Sequence, residues 1–263
     1  MNSKQFAEQF AREAGAIIRA NFTLGMSKEW KADNSPVTKT DTEINARLIA
    51  EVRRFFPEYN VMGEEASDLR GGEYTWVCDP VDGTIPFSHG IPICTFSLGL
   101  VKNGESILGV IYDPFQDRLF SAAKGEGAFL NGQPISVSQK PELMSAIGNC
   151  EFHSSAPYDT SGLITNLEMQ QGAKMFKLQS FIYPAALVAT GEVAFSIYAY
   201  KFAHDAAAVK IIVEEAGGKV TDLFGNDQRY DQQIKGLIAS NGVLHDQLVE
   251  LAKQFTITKP WSK

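Results

Sequence analysis

No apolar run in the 263 residues approaches the ~20 that a bilayer-spanning helix needs, and Met1-Asn2-Ser3-Lys4-Gln5 leads into a helix rather than an apolar signal core. Cysteine is scarce. Cys78, Cys94 and Cys150 show no CxxC spacing, which excludes a zinc knuckle and a disulfide framework and leaves each as a small core hydrophobe. Together these absences predict a chain without membrane spans in a reducing cytoplasm. Basic residues do not dominate either: 24 Lys and Arg against 31 Asp and Glu give a net charge of −7, which argues against binding a nucleic-acid polymer. A small phosphorylated ligand stays compatible, because acids that hold divalent cations make a site locally positive. Repeats and low-complexity tracts are also missing, and 44% apolar with 21% charged residues is ordinary globular usage. The length suits two closely joined lobes.

One further absence organises the rest. No Lys or Arg stands between Glu73 and Val101, yet Asp79 and Asp82 lie within that stretch, three positions apart, in Trp76-Val77-Cys78-Asp79-Pro80-Val81-Asp82-Gly83-Thr84. Trp76 to Cys78 read as a short buried strand. The remainder reads as a tight loop, since Pro80 fixes φ and removes a donor while Gly83 opens backbone conformations closed to other residues. Two unpaired carboxylates there carry a desolvation cost that packing cannot offset, so a bound metal is the economical partner. Glu64 after the preceding strand and Asp205 at a helix start are further oxygen donors, the kind that Mg²⁺ prefers.

Periodicity supplies the frame. Phe6, Phe10, Ala14, Ile17 and Ile18 recur at helical spacing behind Ser3 as a cap. A polar loop over 31–41 precedes a second helix that starts near Asp41 or Thr42 and stops at Pro57. Strands are expected at 59–62 and, as hairpins, through 95–137. Residues 138–141 mark the passage to a second lobe. Its strands fall at 144–150, 192–199 and 236–240, and its helices at 161–171, 180–190, 205–217 and 244–255. The chain thus divides into an α+β lobe, 1–138, and an α/β lobe, 139–263.

Gly63-Glu64-Glu65, then Trp76-x-x-Asp79-Pro80-Val81-Asp82-Gly83-Thr84-x-x-Phe87, then Asp205-Ala206-Ala207 with Glu215-Ala216-Gly217-Gly218, resemble the signature of the inositol monophosphatase family. That family belongs to the lithium-sensitive, magnesium-dependent phosphatases. The resemblance implies a layered αβαβα sandwich of the sugar-phosphatase type, commonly a homodimer. It implies two or three Mg²⁺ ions held by Glu64, Asp79, the Val81 carbonyl, Asp82 and Asp205, and phosphate bound by the N–H groups of Gly83 and Thr84. Thr84 and Asp41, the latter in a Thr38-x-x-Asp41 motif, would activate a water, with Glu64 beside them. No Ser or Cys nucleophile motif is present, so no covalent phosphoenzyme is required. Capping is the plainer role for Thr84 and Asp41. Glu65 reads as an outer acid, and Asp33, Asp113, Asp117 and Asp222 as solvated turn residues.

The sequence departs from the family where the leaving group would bind. His204 replaces the usual Trp before the last aspartate, and Tyr198 stands where inositol-preferring members place a carboxylate. Tyr198, Lys201 and His204 are therefore the candidate recognition residues, with Phe181, Tyr183 and Tyr200 as aromatics that serve either core or stacking. An inositol-1-monophosphate-type substrate heads the readings. Histidinol phosphate, a 3′-phosphonucleotide and fructose 1,6-bisphosphate stay open, as does a non-catalytic metal- or phosphate-binding module.

Overall fold

The computed structural model describes residues 2–31, 36–151 and 156–259. Seven α-helices lie among them: α1 (Ser3–Asn21), α2 (Lys39–Phe55), α3 (Thr84–Ser88), α4 (Ser161–Met169), α5 (Ile182–Val188), α6 (Ala207–Glu215) and α7 (His245–Phe255). An eight-stranded sheet runs from Gln133–Pro134 at one edge to Ser67–Asp68 at the other, with Thr95–Lys102, Tyr74–Asp82 and Asn60–Gly63 adjacent to one another. A second sheet of five strands has the order Lys174–Phe176, Ile147–Glu151, Phe195–Tyr198, Leu237–Ser240, Lys219–Thr221.

The layers follow from which faces are apolar. Phe6, Phe10, Ala14 and Ile18 of α1 and Ile44, Leu48 and Val52 of α2 pack with Trp76, Phe96 and Leu98 on one face of the large sheet. α5 and α6 fill the space between the sheets, in a core that runs from Val77 and Ile111 to Val220 and Ala239. α4 and α7 cover the far face of the second sheet through Leu163, Leu167 and Leu248. The order is helix, sheet, helix, sheet, helix: an αβαβα sandwich. No helix among the described residues is long and apolar enough to cross a membrane.

Several local expectations shift. Asn2, not Ser3, caps α1, forming a reciprocal capping box with Gln5 because its side chain sits one residue before the first turn. α2 starts at Lys39, with Thr38 as its cap and Asp41 in the third position of a second capping box. The strand expected to end at Cys78 continues through Asp82, pairing Asp79 with Ser97 and Asp82 with Thr95 across a register shift. Pro80 lacks an N–H for the ladder, so the strand bulges there instead of becoming a loop. The 205–217 helix divides into a 3₁₀ turn at Ala203–Asp205 and α6. Short strands such as Lys28–Trp30 with Pro36–Thr38, Lys174–Phe176 and Lys219–Thr221 escaped the sequence reading because two or three residues carry no period.

α6 seats Asp205 by close approach to the large sheet. A Cβ on Gly99 would come within 2.9 Å of the Ala207 Cβ, and one on Gly109 within 2.7 Å of the Ala208 carbonyl oxygen. The Ser106 hydroxyl donates to the Ala207 carbonyl at 2.6 Å. Only bare backbone lets the helix reach this depth.

Candidate active site

A cavity of about 110 Å³ opens where Tyr74–Asp82, the 3₁₀ turn and the start of α5 meet; Glu64, Asp79, Val81, Asp82, Gly83, Thr84, His204 and Asp205 all line it. Parallel pairing of Gly63 with Cys78, continued by the Glu64 N–H donating to the Cys78 carbonyl at 3.0 Å, sets Glu64 beside Asp79. The Val81 N–H donates to Asp79 Oδ1 at 3.0 Å, fixing that carboxylate against the bulge. Gly83 follows with φ at +86°, a left-handed conformation that glycine adopts without strain, and turns the chain into α3.

Asp82 has a second task. Its oxygens accept from the Thr95 hydroxyl at 3.0 Å, the Ser180 hydroxyl, and the N–H groups of Phe181 at 2.7 Å, Ile182 at 3.2 Å and Tyr183 at 3.3 Å. One carboxylate thus anchors the beginning of α5 to the large sheet. Asp205 accepts a hydrogen bond from the Tyr198 hydroxyl. Tyr198 is therefore a buried support beneath Asp205 and not a wall of the cavity, and Lys201, whose ammonium lies 5.8 Å from the Phe202 ring centre, does not line it either. His204 does line it, stacked on Phe202 at 5.0 Å, with Nε2 3.9 Å from Asp205 Oδ2. Burial pushes its pKa down to about 4, so the imidazole is neutral at pH 7.

The side chains of Thr84 and Asp41 meet. The Thr84 hydroxyl lies 3.3 Å from Asp41 Oδ1 and 2.9 Å from the Val81 carbonyl oxygen, while Asp41 Oδ2 accepts from the Thr38 N–H at 2.9 Å and its hydroxyl. Asp41 is fully buried, and that burial pushes its pKa up to about 7 against the Thr38 hydrogen bonds. Burial likewise raises Asp79, helped by Glu64 and Asp205, and raises Asp82 and Asp205 against the hydroxyl and N–H donors that favour their ionised forms.

Lys31 reaches in from the edge, 2.7 Å from Glu64 Oε1 and 2.6 Å from Glu65 Oε1. Burial works against its ammonium, but the two glutamates more than offset this and hold its pKa above the usual lysine value. Glu65 is thus an outer acid engaged by lysine. No three acidic, His or Cys side chains among the described residues already surround a common point. The donor set still suits a hard divalent cation: it offers buried oxygens, and no Lys or Arg is among the residues lining the cavity. Of the acids expected in solvent, Asp117 is, but Asp113 and Asp222 are buried turn anchors that accept N–H groups of Phe115 and Gln116 and of Phe224 and Asn226. Asp33 lies outside the described residues.

The raised carboxylates make a stability prediction whose sign is fixed. Between about pH 4 and 7 folded Asp41 keeps a proton that the unfolded chain has released, so stability falls as pH rises through that window. His204 and His245, both held near 4 by burial, act oppositely, but only up to their unfolded value of about 6.5. Metal-free protein should therefore lose stability as pH rises from about 6.5 through 7, where folded Asp41 gives up its proton, by up to about 1.4 kcal/mol per retained proton per pH unit. Saturating divalent cation should abolish the loss in thermal melts; a flat metal-free profile would contradict the buried-charge picture.

Sequence reasoning missed part of the cavity wall: Glu151, Gln179 and Phe202, alongside Phe181 and Tyr200, which it named only as aromatics. Lys31 opens the polar loop over 31–41 but was given no role.

Comparisons with known proteins identify the family. Residues 2–256 match the model of the inositol monophosphatase family. The chain is 33% identical over 255 residues to a Thermotoga maritima protein named fructose-1,6-bisphosphatase/inositol-1-monophosphatase, covering 97% of each. It is 33% identical over 257 residues to an inositol monophosphatase of Mesembryanthemum crystallinum, covering 93% of each. Among solved structures, a Thermotoga maritima IMPase superposes with a TM-score of 0.87 at 33% identity, over 97% of this chain and 98% of that one. An inositol monophosphatase from Anabaena gives 0.83 at 31% identity, over 96% and 95%. Whole-length agreement in sequence and fold places this chain in the inositol monophosphatase family, whose members are phosphatases that hydrolyse phosphate monoesters.

Proposed function

We propose that the chain is a Mg²⁺-dependent phosphomonoesterase acting on an inositol-1-monophosphate-type substrate. The observation that carries this is that Thr84, whose hydroxyl lies 3.3 Å from the buried Asp41 carboxylate, lines the same cavity as the buried acids. Glu64, Asp79, the Val81 carbonyl, Asp82 and Asp205 would hold two or three Mg²⁺ ions. When bound, Mg²⁺ supplies positive charge to the phosphate oxygens and lowers the pKa of the attacking water.

The chain's own groups do the rest. The N–H groups of Gly83 and Thr84 take phosphate oxygens at the start of α3. The attacking water gives its proton to Thr84 Oγ1 while the Thr84 proton passes to the Asp41 carboxylate, whose pKa near 7 suits a base at neutral pH. Phosphorus gains the water oxygen and loses the alcohol oxygen in line; the leaving alkoxide takes a proton from solvent water and Asp41 releases its own to solvent, giving inorganic phosphate and the free alcohol. Lobe 1–138 would carry most ligands, and lobe 139–263 Asp205 and the leaving-group wall. Family resemblance supports a homodimer, and three buried free thiols suit a cytoplasmic setting.

Phosphate release should depend on Mg²⁺, stop on chelation, and be inhibited by Li⁺ at tens of millimolar. A panel of inositol 1-phosphate, histidinol phosphate, a 3′-phosphonucleotide and fructose 1,6-bisphosphate ranks the substrates. Absence of Mg²⁺-stimulated release from all four would favour a non-catalytic metal or phosphate binder.

A further inference from the structure

The cavity holds a fifth acid that the metal and water chemistry does not use. Glu151 ends the strand Ile147–Glu151 and is only 2% exposed, yet it lines the cavity. Three donors converge on one of its oxygens: the Leu178 N–H at 2.7 Å, the Gln179 N–H at 3.1 Å and Asn149 Nδ2 at 3.2 Å all reach Oε1. Oε2 has no hydrogen-bond partner among the described residues. Gln179 is held at φ +56°, a left-handed conformation costly for a residue with a side chain, in the turn that presents its N–H to Glu151. A carboxylate pinned through one oxygen, with the other unengaged among the described residues, is a built acceptor.

Its surroundings define what it accepts. Phe181, Tyr200 and Phe202 contribute aromatic surface to the same cavity, with Tyr200 and Phe202 edge to face at 4.8 Å. No lysine or arginine is among the described residues that line the cavity, which disfavours a second phosphate there. Lys177 lies close enough to favour the ionised Glu151, which reduces what a cationic ligand would add. Aromatic faces suit the C–H side of a ring, and a free carboxylate oxygen suits its hydroxyls.

We propose that Glu151 determines leaving-group specificity, accepting a hydroxyl hydrogen bond from an uncharged cyclic polyol and excluding leaving groups that carry a second phosphate. This rests on the phosphatase reading above. The two are separated experimentally, because Mg²⁺-dependent release by the wild type tests the reaction and substrate ratios test Glu151.

The experiment compares kcat/KM of wild type, Glu151→Gln and Glu151→Asp on myo-inositol 1-phosphate, fructose 1,6-bisphosphate and p-nitrophenyl phosphate, with thermal melts for folding. Wild type should favour myo-inositol 1-phosphate over the bisphosphate by about 10-fold or more. In Glu151→Gln the preference for myo-inositol 1-phosphate over p-nitrophenyl phosphate should fall by about 10-fold, mostly through KM, and the bisphosphate should gain relative to both. Glu151→Asp, which withdraws the carboxylate by one methylene, should fall between. Ratios unchanged in both folded variants, or a wild type that takes the bisphosphate equally well, overturn the proposal. A wild-type preference for histidinol phosphate that Glu151→Gln removes overturns the polyol assignment in favour of a cationic leaving group. If Glu151→Gln does not fold, Glu151→Asp and the wild-type ranking decide.

Discussion

Asp79→Asn should lower kcat/KM with Mg²⁺ on the order of 10³-fold, the effect of losing several kcal/mol of transition-state charge stabilisation. The same substitution should raise the melting temperature of the metal-free protein at pH 8. Asp79 is buried beside Glu64, Asp205 and Asp82, and burial together with these neighbours penalises its charge, so a neutral amide of the same shape relieves that cost. Opposite signs for activity and metal-free stability separate a ligand from a structural residue. Asp205→Asn should behave likewise, because its amide oxygen can still accept from the Tyr198 hydroxyl. Activity within about tenfold of wild type would remove Asp79 from the metal shell.

Thr84→Val should cost about 10²–10³-fold in kcat with little change in KM, whereas Thr84→Ser should keep most activity. Valine matches threonine in shape and removes only the hydroxyl that bridges Asp41 and the Val81 carbonyl. Asp41→Asn should lose a similar factor but also destabilise α2, since Asp41 completes the capping box with Thr38. The double variant should be scarcely worse than either single one, because the two groups move one proton between them. Additive losses would assign Thr84 and Asp41 to independent tasks. A loss seen in KM alone would reduce Thr84 to a phosphate-binding residue.

Legibility in the sequence followed how local the determining interactions are. Asp79 and Asp82 stand three positions apart in a stretch without Lys or Arg, so spacing brought them into view, whereas Thr84, Thr38 and Asp41 took their roles from the family resemblance. Helical stripes such as Phe6, Phe10 and Ala14 gave the individual helices, while the αβαβα layering came from the family resemblance. Glu151 was not readable: it sits in Asn149-Cys150-Glu151 with no motif around it. Its meaning comes from N–H groups 27 and 28 residues away. Tyr198 was misplaced for the same reason, since only the fold reveals that its hydroxyl is spent on Asp205. Lys201 stands one position out of step with Tyr200 and Phe202, and a pattern of single aromatics cannot say which of three successive residues meets a cavity. The early end assigned to the central strand reflects Pro80, which breaks a ladder bond without ending the strand.

Asp82 makes cofactor and substrate thermodynamically inseparable. A single carboxylate is both a candidate cation ligand and the acceptor for the N–H groups of Phe181, Ile182 and Tyr183 at the start of α5, and Phe181 at that junction lines the cavity where the leaving group would sit. A cation that draws on the Asp82 oxygens alters what holds the wall, and an alcohol that settles against the wall alters what the cation meets. Linkage then requires that each change the other's affinity by the same factor. The enzyme would therefore respond to the product of cation and substrate concentrations, and a change made to widen the pocket at α5 would be felt first as a change in its appetite for metal.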